Sequence, residues 1–271
     1  MVNQAIDIEY FHNPNDKDLS ISSTEYSHYQ FPKHFHNHYT IQFINEGINE
    51  GFTESRKYKV GPGGILIINP GELHAGNSYE NKKLKFNSLR INEEFISRFC
   101  TENEVSKNGD IYFTNEPIYD KRFADVVQKA ISSFKGNQSL NSETCFSELF
   151  YELISRFSNQ NTDHHCKTDH PAIELAIRFI HDNYQRDLSL KDIAKSCNLS
   201  QYHFIRQFKK QCRISPFQYL RNLRVEKAKS LLSSHSISQA ALEVGFFDHS
   251  HFLKNFKKIE GTLPSNFRKK S

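Results

Sequence analysis

The sequence predicts two domains of different class: an N-terminal all-β barrel carrying a helical hairpin, and a C-terminal all-α domain with two helix-turn-helix units. Three features of the chain predict it. Up to about Leu89, apolar residues alternate in short segments broken by Gly, Pro and Asn; beyond it they recur at helical spacing. A passage near the C-terminus is written twice. His203-Phe204-Ile205-Arg206-Gln207-Phe208-Lys209-Lys210, followed by Pro216, returns as His251-Phe252-Leu253-Lys254-Asn255-Phe256-Lys257-Lys258, followed by Pro264, with every matched pair 48 residues apart. A repeat held in register across His, two Phe, two Lys and Pro marks a duplicated structural unit. Charge, finally, is divided. Residues 171–271 hold 18 Lys and Arg against 8 Asp and Glu, a net of +10, whereas residues 1–170 hold 17 against 23, a net of −6. A basic half joined to an acidic one suggests that only the former meets nucleic acid.

Taken in order, the barrel is expected over about residues 20–90. Pro32 to Phe43 alternates, which predicts a strand with His34, His36, His38, Thr40 and Gln42 on one face and Phe35, Asn37, Tyr39, Ile41 and Phe43 on the other. Asn45-Glu46-Gly47 turns the chain. A further strand is expected over Gly51 to Val60. Gly61-Pro62-Gly63-Gly64 then makes a turn; it lacks the Lys-Ser/Thr and helix of a phosphate cradle. Ile65 to Ile68 reads as a buried strand, followed by Asn69-Pro70-Gly71-Glu72-Leu73-His74.

Helices are expected next, over about residues 93–158. Glu93 to Cys100 is short. Asp120 to Phe134 spaces Phe123, Val126, Val127, Ala130, Ile131 and Phe134 along one face. A third helix, capped by Asn141 or Ser142, stripes Phe146, Leu149, Phe150, Leu153, Ile154 and Phe157, and pairs with the second as an antiparallel hairpin. The first domain therefore spans 1–158. Residues 159–170 are polar and poor in apolar side chains, as an interdomain linker is. Their His164-His165-Cys166 run has no partners at fixed spacing for a metal. The second domain spans 171–271.

Each repeated unit reads as helix, turn, helix. Leu190 to Ser196 leads; Cys197-Asn198-Leu199 turns; Ser200 caps a helix from Gln201 to Gln211 that buries Phe204 and Phe208. Tyr202, Ile205, Arg206 and Lys209 take the opposite face, with Lys210 following. In the second unit Ser238 to Val244 leads, Gly245 bends the chain, and Asp248 caps His249 to Ile259. Phe252 and Phe256 turn inward; His249, Ser250, Leu253 and Lys254 face out, followed by Lys257 and Lys258. A helix of this kind fits the major groove of DNA. Its first half offers donors and acceptors to base edges, and basic side chains further along neutralise phosphates. The plainer reading is a solvated charged face on two ordinary amphipathic helices, and the duplication in register weighs against it.

Ile193-Ala194, Ser200, Phe204-x-x-x-Phe208-Lys209, Ser215-Pro216, Tyr219-Leu220, Arg224, Ala228 and Leu231-Leu232 resemble the AraC/XylS family of transcription regulators. So do Ile237, Ala241, Gly245-Phe246, Asp248, Ser250, Phe252, Phe256-Lys257, Gly261, Pro264 and Arg268. The resemblance covers about residues 171–270. It implies two helix-turn-helix units joined by a long helix, here about Pro216 to Ser233, set in successive major-groove segments of double-stranded promoter DNA. It implies control by a small-molecule effector, and contact with RNA polymerase where such a regulator is an activator. For the helical hairpin it implies either pairing into a homodimer or packing beneath the barrel. Two positions depart from the pattern: Arg213 stands where the family usually has Gly, and Asn198 where a Gly often closes the first turn.

His34-x-His36 with Gly47, and Gly64-x5-Pro70-Gly71-Glu72-x-His74, resemble the cupin barrel such regulators often carry. Histidines converging in a barrel invite a metal, for which imidazole is the commonest ligand. Metal-binding cupins, however, place a Glu four or five residues after the second His, where Thr40 and Ile41 stand here. The reading preferred is a pocket in which His34, His36, His38, Gln42, Glu72 and His74 hydrogen-bond an organic effector, without metal or other cofactor. A third reading gives these histidines only a role in strand and loop geometry.

Cys100, Cys145, Cys166, Cys197 and Cys212 show no paired spacing, so no disulfide framework or zinc site is expected. The polar opening Met1-Val2-Asn3-Gln4 is unlike a signal peptide, and no apolar run approaches the roughly 20 residues of a membrane span. With no Gly-x-Ser-x-Gly elbow, Cys-x-x-Cys or phosphate loop in the sequence either, a cytoplasmic chain that is not an enzyme is expected. The competing class is a metal-dependent cupin enzyme with an accessory basic domain.

Overall fold

The computed structural model describes residues 6–13, 16–53, 56–103, 111–136, 139–159 and 170–268. These divide into two compact units, one of residues 6–31 and 35–159, the other of residues 32–34 and 170–268. The expected linker, with His164, His165 and Cys166, falls almost wholly outside the described residues.

The first unit is built from two sheets. Strands β1 (Asp7–Asn13), β2 (Asp16–Tyr26), β3 (His38–Glu46), β6 (Ile65–Ile68) and β8 (Leu84–Asn92) form the larger, in the order β1-β2-β8-β3-β6. Strands β4 (Asn49–Phe52), β5 (Lys57–Val60) and β7 (Ala75–Ser78) form the smaller, in the order β5-β4-β7. The short β9 (Tyr112–Phe113) and β10 (Ser158–Asn159) pair with each other. Two expectations are corrected. The strand predicted from Pro32 begins only at His38; the residues before it are irregular although they alternate in sequence. The single strand predicted over Gly51 to Val60 is instead a hairpin of β4 and β5, closed by Thr53 N donating to the Arg56 carbonyl.

Period-two alternation decides what each face of the large sheet meets. Phe11, Ile21, Leu89, Ile41 and Ile67 are paired across the five strands. They pack against helices α1 (Glu93–Glu102), α2 (Lys121–Lys135) and α3 (Ser139–Phe157). Tyr26, Ile44, Leu66, Ile68, Leu84 and Phe86 point the other way and meet Tyr58 and Val60 of the small sheet. This explains why β6 is apolar throughout: Ile65 and Ile67 serve the helical core, Leu66 and Ile68 the barrel interior. The α2 boundary is where the sequence places it, because Asp120 accepts a hydrogen bond from Phe123 N. Helix α3 starts at Ser139, before the expected Asn141 or Ser142.

The second unit is helical: α4 (Pro171–Asn183), α5 (Leu190–Ser196), α6 (Gln201–Cys212), α7 (Pro216–Leu231), α8 (Ile237–Glu243), α9 (His249–Glu260) and α10 (Pro264–Arg268). Helices α6 and α9 coincide residue for residue at the 48-residue offset. Ser200 caps α6 and Asp248 caps α9, each accepting a backbone N–H of the first turn. Helix α8 starts slightly earlier than expected, because Ser236 and Gln239 form a reciprocal capping box. Both long helices end in a left-handed residue, Arg213 (φ 57°, ψ 1°) and Gly261 (φ 74°, ψ −9°).

Those matched ends give a test. A Cβ in this conformation costs about 1–2 kcal/mol. Allowing for the greater unfolded-chain entropy of glycine, Arg213→Gly should stabilise the helical unit by about 0.5 kcal/mol, and Gly261→Arg should destabilise it by about 1–2 kcal/mol. Urea denaturation followed by far-UV circular dichroism measures both; an unchanged midpoint for Gly261→Arg would contradict the cap geometry.

Candidate nucleic-acid interface and ligand-binding interior

In the second unit the buried rings set the orientation of the exposed ones. Phe204 and Phe208 are fully buried, and Phe208 meets Tyr219 of α7 edge-on at 5.6 Å. Phe252 and Phe256 are buried with Val225 and Ala228 of α7 and with Leu232, just after it. The opposite faces are thereby held outward. Tyr202 is 79% exposed, and Arg206, Lys209 and Lys210 are exposed beside it on α6. On α9, His249, Ser250, Lys254, Lys257 and Lys258 are exposed, with His249 Nδ1 3.4 Å from Ser238 Oγ. Ile205 and Leu253, placed on the outer face by spacing, are only half-buried, and Leu253 packs against the core. Arg206 and Lys254 each occupy the sixth position of their helix. The Lys pairs lie in the last turns, where the helix dipole also favours cations.

Within the second unit, helix α7 ties the two helix-turn-helix units together through side chains that the spacing of residues did not single out. Arg224 donates from Nε to the Tyr184 carbonyl at 2.7 Å and from Nη2 to the Arg186 carbonyl at 2.8 Å. Its guanidinium also lies 5.8 Å from the centre of the Phe246 ring. Gly245 is needed there twice over. Its φ is 89°, and a Cβ would stand 2.7 Å from the Gln185 carbonyl and 2.9 Å from Arg224 Nη2. Further along, Lys229 Nζ bridges Glu226 at 2.9 Å and Glu260, the last residue of α9, at 3.0 Å. All three side chains are nearly buried, Lys229 being 12% exposed.

In the first unit, His36 and His38 stack with ring centres 4.0 Å apart, and His74 stands edge-on to His36 at 4.7 Å. Nδ1 of His36 bonds the His38 carbonyl at 2.8 Å, and Nδ1 of His74 bonds the Glu72 carbonyl at 2.9 Å. A carbonyl can only accept, so in both rings Nδ1 is the donor. Thr40 Oγ1 lies 3.3 Å from His36 Nε2. His34 groups with the second unit, and its Nδ1 bonds the Pro32 carbonyl at 2.9 Å. Gln42 Oε1 accepts from Asn49 Nδ2 at 3.1 Å. Glu72 is buried, accepting from Asn69 N at 3.1 Å, Asn69 Nδ2 at 3.2 Å and Asn115 Nδ2 at 3.0 Å. Asn69, which no motif flagged, also exchanges two hydrogen bonds with the backbone of Phe113, so the 69–74 turn is locked to β9. Among the described residues, no group of three or more His, Cys, Asp or Glu side chains is arranged to hold a metal ion. No described helix is long and apolar enough to cross a membrane.

Known proteins match both units. The family model described as an AraC-like ligand binding domain matches residues 17–154, and that of a helix-turn-helix domain matches residues 193–270. The uncharacterized HTH-type transcriptional regulator YbfI of Bacillus subtilis is 27% identical over 82% of this chain and 81% of its own. The HTH-type transcriptional activator RhaR of Mannheimia succiniciproducens is 25% identical over 91% of each. Among solved structures, ToxT from Vibrio cholerae covers 94% of this chain and 98% of its own, with a TM-score of 0.57 at 16% identity. ToxT bound to an unsaturated fatty acid matches with a TM-score of 0.58, likewise at 16% identity, over 95% of this chain and 97% of its own. At that identity the likeness is one of fold.

The Lys229 bridge is open to test. Removing its cation leaves two carboxylates buried close together, so Lys229→Met should cost about 3–5 kcal/mol. Adding Glu226→Gln and Glu260→Gln should return much of it. Chemical denaturation of the wild type, the single variant and the triple variant checks this; a single-variant loss no larger than that of the triple variant would mean the bridge contributes nothing.

Proposed function

Because this chain belongs to the AraC family of transcription regulators, with an N-terminal ligand-binding domain and a C-terminal helix-turn-helix domain, we propose that it reads a promoter site with α6 and α9 under the control of a small molecule held in the barrel. The observation that carries this reading is the matched pair of helices. Each is capped by a side chain, closed by a left-handed residue and set outward by two buried Phe, with a cation at the same sixth position. Two such helices suit successive major-groove segments about 34 Å apart, one turn of B-DNA.

Division of labour follows from position. Arg206 and Lys254, with Tyr202, His249 and Ser250 before them, sit where base edges come within reach, and Arg is the side chain best suited to a bidentate contact with guanine. Lys209, Lys210, Lys257 and Lys258 suit phosphates. His36, His38, Gln42, Glu72 and His74 are assigned to the effector. The ligand controls DNA binding only so far as it favours one state of the protein over another. RhaR is named an activator; activation here, with contact to RNA polymerase, and pairing of two copies remain parts of the same proposal.

Arg206→Ala should cost about 1–3 kcal/mol of operator affinity and relax preference at one base position. Lys209→Ala should weaken binding on every sequence alike and lower the salt slope by about one. Gel shifts against a series of point-mutated operators separate the two. Sequence-blind losses from both variants would remove the base-reading role from Arg206.

A further inference from the structure

The facing sheets of the first unit enclose a second group of polar side chains, apart from the histidines. Strand register sets Tyr58, Gly51 and Gly76 in one row of the small sheet, and Val60, Asn49 and Ser78 in the next. The two glycines leave room for polar heads. A Cβ at Gly51 would stand 2.7 Å from the Tyr58 hydroxyl, and one at Gly76 would stand 2.9 Å from Asn49 Oδ1 and 3.0 Å from the Tyr58 hydroxyl. Asn49 reaches across to the large sheet through its hydrogen bond to Gln42, while Tyr58 donates to the Ala75 carbonyl at 3.3 Å.

Two atoms of this group, Asn49 Oδ1 and Ser78 Oγ, have no hydrogen-bond partner among the described residues, in residues only 3% and 2% exposed. Ser78 directly precedes a single 3-10 turn (Tyr79–Asn81), yet its side chain does not cap it. Buried polar atoms are nearly always bonded, so two neighbours left unbonded by the protein point to a partner from outside it. The chemistry of that partner follows from what surrounds it. Asn49 Nδ2 is already committed to Gln42, so its Oδ1 remains to accept a donor. Burial, and then the Glu72 carboxylate, hold the Tyr58 phenol well above its ordinary range, and it stays protonated. Glu72 itself is bonded by the neutral amides of Asn69 and Asn115. Glu72 acts electrostatically on the Tyr58 phenol, so an anion placed beside Tyr58 would be repelled and a donor or a cation attracted.

We propose that Asn49 and Ser78, with Gln42 and Tyr58, are the site that selects the effector by a hydrogen-bond-donating head group (ammonium, amide or hydroxyl) and discriminates against a carboxylate. This rests on the reading of the barrel as an effector domain. The test uses the full-length protein and its Ser78→Ala variant in thermal denaturation, with butylamine, butyramide and 1,2-butanediol set against butyrate and octanoate at millimolar concentration. At least one donor compound should raise the Tm of the wild type by a few degrees and leave the variant unmoved, while the carboxylates do nothing. Without any compound, the variant should be the more stable protein, because it no longer buries an unsatisfied hydroxyl. A variant that is less stable on its own, no response to any donor compound, or equal stabilisation of both proteins by the carboxylates would each overturn the proposal. Operator gel shifts on the same samples separate this from the broader reading. Carboxylate stabilisation that also changes operator affinity would leave the barrel an effector domain and remove only the donor assignment. Donor stabilisation with operator affinity unmoved would do the reverse.

Discussion

The helical unit depends on α7 holding two otherwise separate helix-turn-helix units at a fixed spacing. Phe208 packs on Tyr219 from the first half of α7; Phe252 and Phe256 pack with Val225 and Ala228 from the second half and with Leu232 just after it. Arg224 stands between the two halves and joins the Tyr184 and Arg186 carbonyls, before the first unit, to Phe246 in the turn of the second. Lys229 then fastens the C-terminal end of α9 through Glu260. Small shifts at any of these joints would rotate one reading helix against the other, and the distance between groove segments in DNA leaves little room for that. The buried charges on α7 are better understood as setting geometry than as a large source of stability.

Cations are accordingly used in two ways in this unit. Arg224 and Lys229 are taken inside and satisfied by carbonyls and carboxylates. The Lys pairs at the ends of α6 and α9 stay outside, where the helix C-terminus also favours a cation. Arg206 and Lys254 lie away from the last turn, where the helix dipole gives no such support.

How much of this was legible in the sequence differs between the units for a physical reason. Helix limits in the second unit are set by residues a few places apart: Ser200 with His203, Asp248 with Ser250 and His251, and the left-handed closings at Arg213 and Gly261. Such signals survive in one dimension, and the repeat doubled them. Gly245 was legible as a bend; its second role, admitting Arg224 and the Gln185 carbonyl, comes from residues 21 and 60 positions away and was not. The barrel works by distant pairs of this sort. Asn69 meets Phe113 and Glu72 meets Asn115 across more than 40 residues. Alternation alone extended β3 back to Pro32, because it records which side chains turn inward but not whether a backbone partner exists for them to line up against. His36 and His74 came together, as the motif implied.

The large sheet shows why its interior face is the informative one. One row across it, Phe11, Ile21, Leu89, Ile41 and Ile67, is apolar in every strand and faces the helices. The adjacent row, one residue along, is Tyr10, Ser22, Ser88, Gln42 and Leu66, polar over three of its five positions although Ser22 and Ser88 are as buried as the aliphatic row. Both rows have the same backbone hydrogen bonds and nearly the same exclusion from water. Folding alone would favour aliphatic side chains in both, since buried hydroxyls and amides stabilise a core less than methyl groups of similar volume. Apolar packing is ample on the helical side to hold the sheet, so the polar row is free to answer to something else. A face that carries Ser, Gln and Tyr towards an enclosed interior is the composition a binding site needs and a core does not.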